Sequence, residues 1–163
     1  MTKIKFDKRK NILQIEESDN FCPKFDSDGL IPCITVDIQS NKILMFSYMN
    51  EEALKNTILT KYAHYWSRSR KSIWKKGEVS GMFHDVKKIL IDDDQDSIIL
   101  EVSLTEPKLG GEKASCHVGY HSCFYRELLL NNNNRELKLK FIESKKVFDP
   151  KVIYKNTANP TKI

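Results

Sequence analysis

The stretch Ile34-Thr35-Val36-Asp37-Ile38-Gln39-Ser40-Asn41-Lys42-Ile43-Leu44-Met45-Phe46 decides the fold class. Ile34, Val36 and Ile38 alternate with Thr35 and Asp37, the two-residue period of a strand. Ser40-Asn41 has the chemistry of a hairpin turn, and Ile43 to Phe46 reads as a buried returning strand. Downstream, Asn50 caps a helix whose first turn carries Glu51 and Glu52, where carboxylates favour the helix dipole. Leu54, Ile58 and Tyr62 give that helix one apolar face, with an end expected near Ala63. Strand-like runs follow at 83–91 and 97–104, Pro107 and Gly110-Gly111 mark a loop, and Tyr125 to Leu130 suits a short strand or helix. Upstream, residues 1–28 are polar, with a turn at Asp26-Ser27-Asp28-Gly29. The expectation is an α+β fold: a compact, mainly β domain over residues 25–130 with one principal helix. An arm (1–24) precedes it, and a tail (131–163) of low functional content opens on four asparagines. There is no internal repeat.

At 163 residues, 40% hydrophobic and 30% charged, the chain suits one globular domain with a core that needs no disulfide staples. The net charge of +5 suits a protein that handles phosphates, and falls short of the heavy one-faced bias of nucleic-acid binders. No run of about 18 apolar residues predicts a membrane span. Met1 to Lys10 has no apolar signal core, so the expected location is the cytoplasm. There, four cysteines read as metal ligands or free thiols rather than as disulfides.

Three constellations could carry chemistry. In Asp92-Asp93-Asp94-Gln95-Asp96, extended chain would put Asp92, Asp94 and Asp96 on one side and Asp93 on the other. Like charges so close call for a cation, and Mg²⁺ takes such oxygen ligands; the bland alternative is a solvated acidic turn. An EF-hand is excluded, because Ser97 stands where glycine is needed and Ser103 where glutamate is needed. In Cys116-His117-Val118-Gly119-Tyr120-His121-Ser122-Cys123, two thiols and an imidazole suit zinc, although the spacing is not that of a zinc finger. Two buried cysteines without metal are the alternative. Residues 65–81 have neither strand nor helix period and combine Trp66, Trp74, Arg68, Arg70 and Lys76 with Gly77, Ser80 and Gly81. Cations, backbone N–H groups near glycines and stacking rings suit a phosphorylated base, against a solvated basic loop.

Read together, four segments resemble the phosphoribosyl-AMP cyclohydrolase family over roughly residues 25–126. They are Phe25 to Pro32 with Leu44 to Leu54; Tyr65 to Arg70 with Trp74 to Gly81; the acidic cluster; and Cys116 to Phe124. The resemblance implies a homodimer with active sites shared between subunits. It also implies a hydrolase of histidine biosynthesis that opens the purine N1–C6 bond of 1-(5-phosphoribosyl)-AMP with zinc-activated water, aided by Mg²⁺. The tail is too short for the pyrophosphohydrolase fused to many members, so the stand-alone form is expected. The resemblance implies zinc on Cys116 and Cys123, and Mg²⁺ on Asp92, Asp94 and Asp96. His117 becomes the candidate proton shuttle, with His84 and His64 behind it. Trp66, Ser67, Arg68, Ser69, Arg70, Trp74, Lys76, Gly77, Glu78 and Ser80 would contact substrate.

One departure stands out. The family's third zinc ligand is a cysteine between the first two aspartates of the cluster, where this chain has Asp93. Carboxylate is an acceptable but harder ligand; another group such as His121 is a second candidate, and loss of a competent zinc site is the third outcome. The Pro107–Glu112 loop is longer than usual for the family; Cys33 is expected in the core and Cys22 in the arm. A zinc deaminase acting on another adenine nucleotide is disfavoured, because its H-x-E and P-C-x-x-C signatures are missing. A metal-stabilised nucleotide or RNA-binding module is the non-enzyme alternative.

Overall fold

A computed structural model describes residues 4–130 and 137–161. The elements in order are α1 (Ile12–Glu17), β1 (Leu30–Asp37), β2 (Ile43–Asn50), α2 (Glu51–Thr60), β3 (His64–Ser67), β4 (Ser72–Lys75), β5 (His84–Ile91), β6 (Ile98–Leu104), β7 (Arg126–Leu128), β8 (Leu139–Phe141) and α3 (Pro150–Ile153). Six strands form one sheet in the order β4-β3-β2-β1-β6-β5; β7 and β8 form a separate ribbon. Only the β1–β6 pairing is parallel; the others are antiparallel. The sheet curls until its two sides meet. Tyr62 bridges Asp85, Ala63 N donates to His84 O (3.0 Å) and Val86 N donates to Lys61 O (2.7 Å).

The β1–β2 hairpin forms where its alternation and turn residues place it, but its inner face is the opposite one. Leu30, Ile31, Cys33, Thr35 and Asp37 are buried, whereas Ile34 and Val36 are half-exposed. The polar inner residues are satisfied locally. Thr35 Oγ1 meets Tyr65 Oη at 2.8 Å, and the Asp37 carboxylate accepts from Ser40 N and Oγ. That leaves an apolar row on the outside of four strands, Phe46–Ile34–Ile99–Leu90, set by direct pairing register. Ile31, Leu44, Met49, Leu54, Tyr65, Leu100 and Val102 fill the interior, with Cys33 among them as expected.

α2 starts as its cap demands, with Asn50 Oδ1 accepting from Ala53 N (2.9 Å), a contact worth about 1 kcal/mol. It stops at Thr60 rather than near Ala63. Lys61 turns left-handed (φ 61°) and donates its N–H to Thr57 O, so Tyr62 leaves the helix for the bridge to β5. Residues 64–75, which have no sequence period, fold as the β3–β4 hairpin. Residues 92–97 are a turn and not extended chain, with Gln95 at φ 59°. The convergence expected from strand alternation therefore comes from turn geometry instead.

The four-asparagine run lies outside the described residues. Beyond it, β8 pairs with β7, and Phe148 and Ile153 cluster with Met82 and Ala114. Among the described residues, no helix is long and apolar enough to cross a membrane.

Candidate active site

Cys116 and Cys123 come together at the start of β2, where Cys123 N donates to Leu44 O (2.8 Å) and Ser122 Oγ to Ile43 O (2.7 Å). Their thiols hydrogen-bond to each other. That bond lowers the Cys116 thiol to about 7. As the donor, Cys123, which is an exposed residue, is pushed up chiefly by this contact with Cys116. Lys76 is buried nearby. Burial lowers its ammonium to about 8, while both thiols pull it back up. The side chain expected to bind phosphate is therefore a buried cation that does not line the cleft beside the β3–β4 hairpin; its Nζ lies 3.5 Å from Met82 O and its charge acts on both thiols. The two thiols are donors of the kind zinc takes, and the buried ammonium beside them favours the thiolate form that binds metal.

His117 follows Cys116 directly. Its Nε2 is buried and has no hydrogen-bond partner among the described residues. Burial lowers its pKa, Asn159 pulls the other way, and Lys76 lowers it further. A neutral ring with an unpartnered nitrogen can take up a proton. The two weaker histidine candidates are committed elsewhere. His84 is fully buried between Tyr65 Oη (2.8 Å) and Ser115 Oγ (3.0 Å), and burial holds it well below the usual range. His64 Nδ1 lies 2.8 Å from Tyr62 O. His121 Nδ1 lies 3.1 Å from Lys113 O.

A cleft of about 330 Å³ opens beside the β3–β4 hairpin, lined by Trp66, Ser67, Arg68, Ser69, Arg70 and Trp74 from the expected set. Its other walls are Phe46, Ser47 and Tyr48 from β2 and Ala158, Asn159 and Pro160 from the tail. This is the size range of small-molecule sites. Arg68 stacks over the Tyr48 ring (4.3 Å), and Ser67 Oγ anchors Arg70 Nε (3.2 Å). The Ser47 hydroxyl is buried without a partner among the described residues. Gly77, Glu78 and Ser80 do not line this cleft. Gly77 (φ 92°) presses on Phe83 N so closely that a Cβ would stand 2.4 Å away. Glu78 is exposed, and Ser80 is buried against Met82 N and the Tyr154 hydroxyl. Ser47, Tyr48 and Asn159 are not among the expected site residues. Ser47 and Tyr48 sit in an ordinary strand, and Asn159 is brought in by packing of the tail.

The acidic turn gathers ligand oxygens of Asp92, Asp94 and Asp96 within 4.8 Å of one another. Lys24 Nζ already bridges Asp94 (3.0 Å) and Asp96 (2.9 Å). Asp92 accepts from Ser97 Oγ, Ser97 N and Asp96 N; burial works against ionisation there, but these bonds outweigh it and lower the carboxyl. Three carboxylate oxygens within 4.8 Å of one another, two of them already shared by an ammonium, have the chemistry of a hard-cation site. The turn is fixed to the arm, since Lys24 N donates to Gln95 O and Cys22 N to Gln95 Oε1, both at 2.8 Å.

Asp93 does not reach the thiols of its own chain. The turn leads into Ile98, which pairs with Cys33, whereas the thiols sit by Ile43 and Leu44, and Ile43 pairs with Val36. From Cys33 to Val36 is on the order of 10 Å along β1, and the turn and the thiol loop lie on opposite sides of that strand. Among the described residues, no third Cys, His, Asp or Glu joins the two thiols within 4.8 Å.

A mainly β domain that joins a thiol pair, an acidic turn and a basic aromatic cleft is the frame of a metal-dependent enzyme. The profile of the phosphoribosyl-AMP cyclohydrolase family matches residues 45–125. A phosphoribosyl-AMP cyclohydrolase of Agrobacterium fabrum is 43% identical over 143 residues, 88% of this chain and 91% of that relative. Its counterpart in Methanococcoides burtonii is 46% identical over 80% of this chain and 94% of the relative. That of Chlorobium chlorochromatii is 51% identical over 68% of this chain and 75% of the relative. The chain belongs to the phosphoribosyl-AMP cyclohydrolase family and is an enzyme, a hydrolase.

Proposed function

We propose that the chain hydrolyses 1-(5-phosphoribosyl)-AMP to the formimino-carboxamide ribotide in histidine biosynthesis, with zinc on Cys116 and Cys123 and Mg²⁺ on the acidic turn. The observation that carries the reading is the meeting of the two thiols beside buried Lys76 and the unpartnered Nε2 of His117. Zinc, when bound, supplies Lewis acidity that brings the pKa of water down to about 7. The chain's own groups do the rest. Arg68 and Arg70 hold phosphate at the cleft rim, and Trp66 and Trp74 flank the base. His117 takes the proton from the attacking water as oxygen bonds to C6 of the cationic purine. The N1–C6 bond then breaks, and N1 keeps the electron pair and gains a proton.

The third ligand is Asp93 from a second copy. Its distance from the thiols of its own chain favours this, as does the apolar row Phe46–Ile34–Ile99–Leu90 on the outer face beside the cleft. A homodimer through that face would bury the row. Incubating the zinc-loaded protein with the N1-ribosylated nucleotide tests the reaction. Ring opening without ammonia supports the reading; ammonia release makes the chain a deaminase, and no turnover ends the proposal.

A further inference from the structure

Between Cys116 and Cys123 the backbone is held from outside by the tail. The Glu143 carboxylate accepts from His121 N at Oε2 (2.7 Å) and from Ser122 N at Oε1 (3.0 Å), the two amides just before Cys123. On the other side, Val147 N donates to Gly119 O (2.8 Å) and Glu112 N to Val147 O (3.0 Å). Gly119 (φ 107°) lies so close that a Cβ there would stand 2.9 Å from Phe148 O. Glu143 is itself set by Ile142 N donating to Tyr125 O (3.0 Å).

We propose that Glu143 is a positioning residue that fixes Cys123 for metal binding, which makes the tail part of the metal site. The inference rests on the zinc reading above, and it concerns a residue beyond the 45–125 segment that matches the family. One oxygen on each of two successive amides sets both peptide planes, and with them the direction in which Cys123 Sγ leaves the chain. Charge-assisted bonds of this kind are among the strongest a loop can have. Without Glu143, the His121 and Ser122 N–H groups turn to water; the anchors of Ser122 Oγ on Ile43 O, Cys123 N on Leu44 O and Gly119 O on Val147 N remain, but none of them holds those two amides.

The test uses the full chain and zinc alone. Zinc affinity is measured by competition with a chromophoric chelator, and melting of the metal-free protein is measured beside it. Glu143→Ala is expected to weaken zinc roughly 10–100-fold, the usual effect of losing a group that orients a ligand, with little change in metal-free melting. Glu143→Gln, which keeps one acceptor oxygen and the same size, is expected to lose less and guards against a misfolded alanine variant. Wild-type affinity in both variants would overturn the inference alone. So would a loss no larger than the fall in metal-free stability accounts for. A wild-type chain that takes up no zinc would overturn the metal reading together with it.

Discussion

The thiol loop and the acidic turn lie at opposite ends of one curled sheet and solve opposite problems. At the thiols, a buried ammonium acts on soft donors, one of which ionises easily. At the turn, hard oxygens stand partly in water with Lys24 already bridging two of them. Soft and hard donors select different metals, so the two donor sets would not compete for one ion. On the proposed reading, the separation requires Asp93 to serve the thiol site from a second copy.

The largest effect that would break this contrast is at the thiol end. His117→Ala is expected to lower kcat about 10²–10⁴-fold while zinc content stays at the wild-type level. A fall in zinc to match would make His117 a ligand instead. Next comes the pH behaviour of the metal-free protein. The thiolate is the reactive form, and Cys116 is held at about 7, so its alkylation should rise as pH climbs through about 7. Lys76→Met removes a charge that favours the thiolate, and the inflection should move upward. An inflection near 8.5 in both proteins would show that neither Cys123 nor Lys76 tunes Cys116.

Tyr65→Phe is expected to cost about 1–3 kcal/mol in denaturant unfolding, because Thr35 Oγ1 and His84 Nδ1 both lose their partner inside the sheet. Smallest is Lys24→Met. Its ion pairs are solvent-exposed and therefore weak, so Mg²⁺ affinity at the turn should rise by less than about tenfold. No rise in Mg²⁺ affinity would mean that lysine and metal do not share the turn.

How much of this was legible in the sequence depended on the range of the forces involved. The β1–β2 hairpin and the Asn50 cap are local, and both stand where alternation and capping chemistry put them. Which face of β1 turns inward is set by the curl of the whole sheet, so Thr35 and Asp37 went in and Ile34 and Val36 stayed half out. Period could not reveal the β3–β4 hairpin, which carries tryptophan on both faces, with Trp66 paired to Ile73 on one and Trp74 to Tyr65 on the other. Spacing brought the thiols and the acidic triad to notice. It could not show that Lys76 is buried within electrostatic reach of the thiols rather than lining the cleft, that Lys24 reaches the turn from the arm, or that Asn159 and Glu143 return from the tail. Each of these contacts joins residues far apart in the chain.

The most direct measurement of the central claim is zinc-edge X-ray absorption on the loaded wild-type protein and on Asp93→Cys. Two sulfurs at about 2.3 Å, with the remaining ligands oxygen or nitrogen, are expected in the wild type, and three sulfurs in the variant. The same sulfur count in both proteins, or no sulfur at all, would contradict a site built from Cys116, Cys123 and a second copy's Asp93.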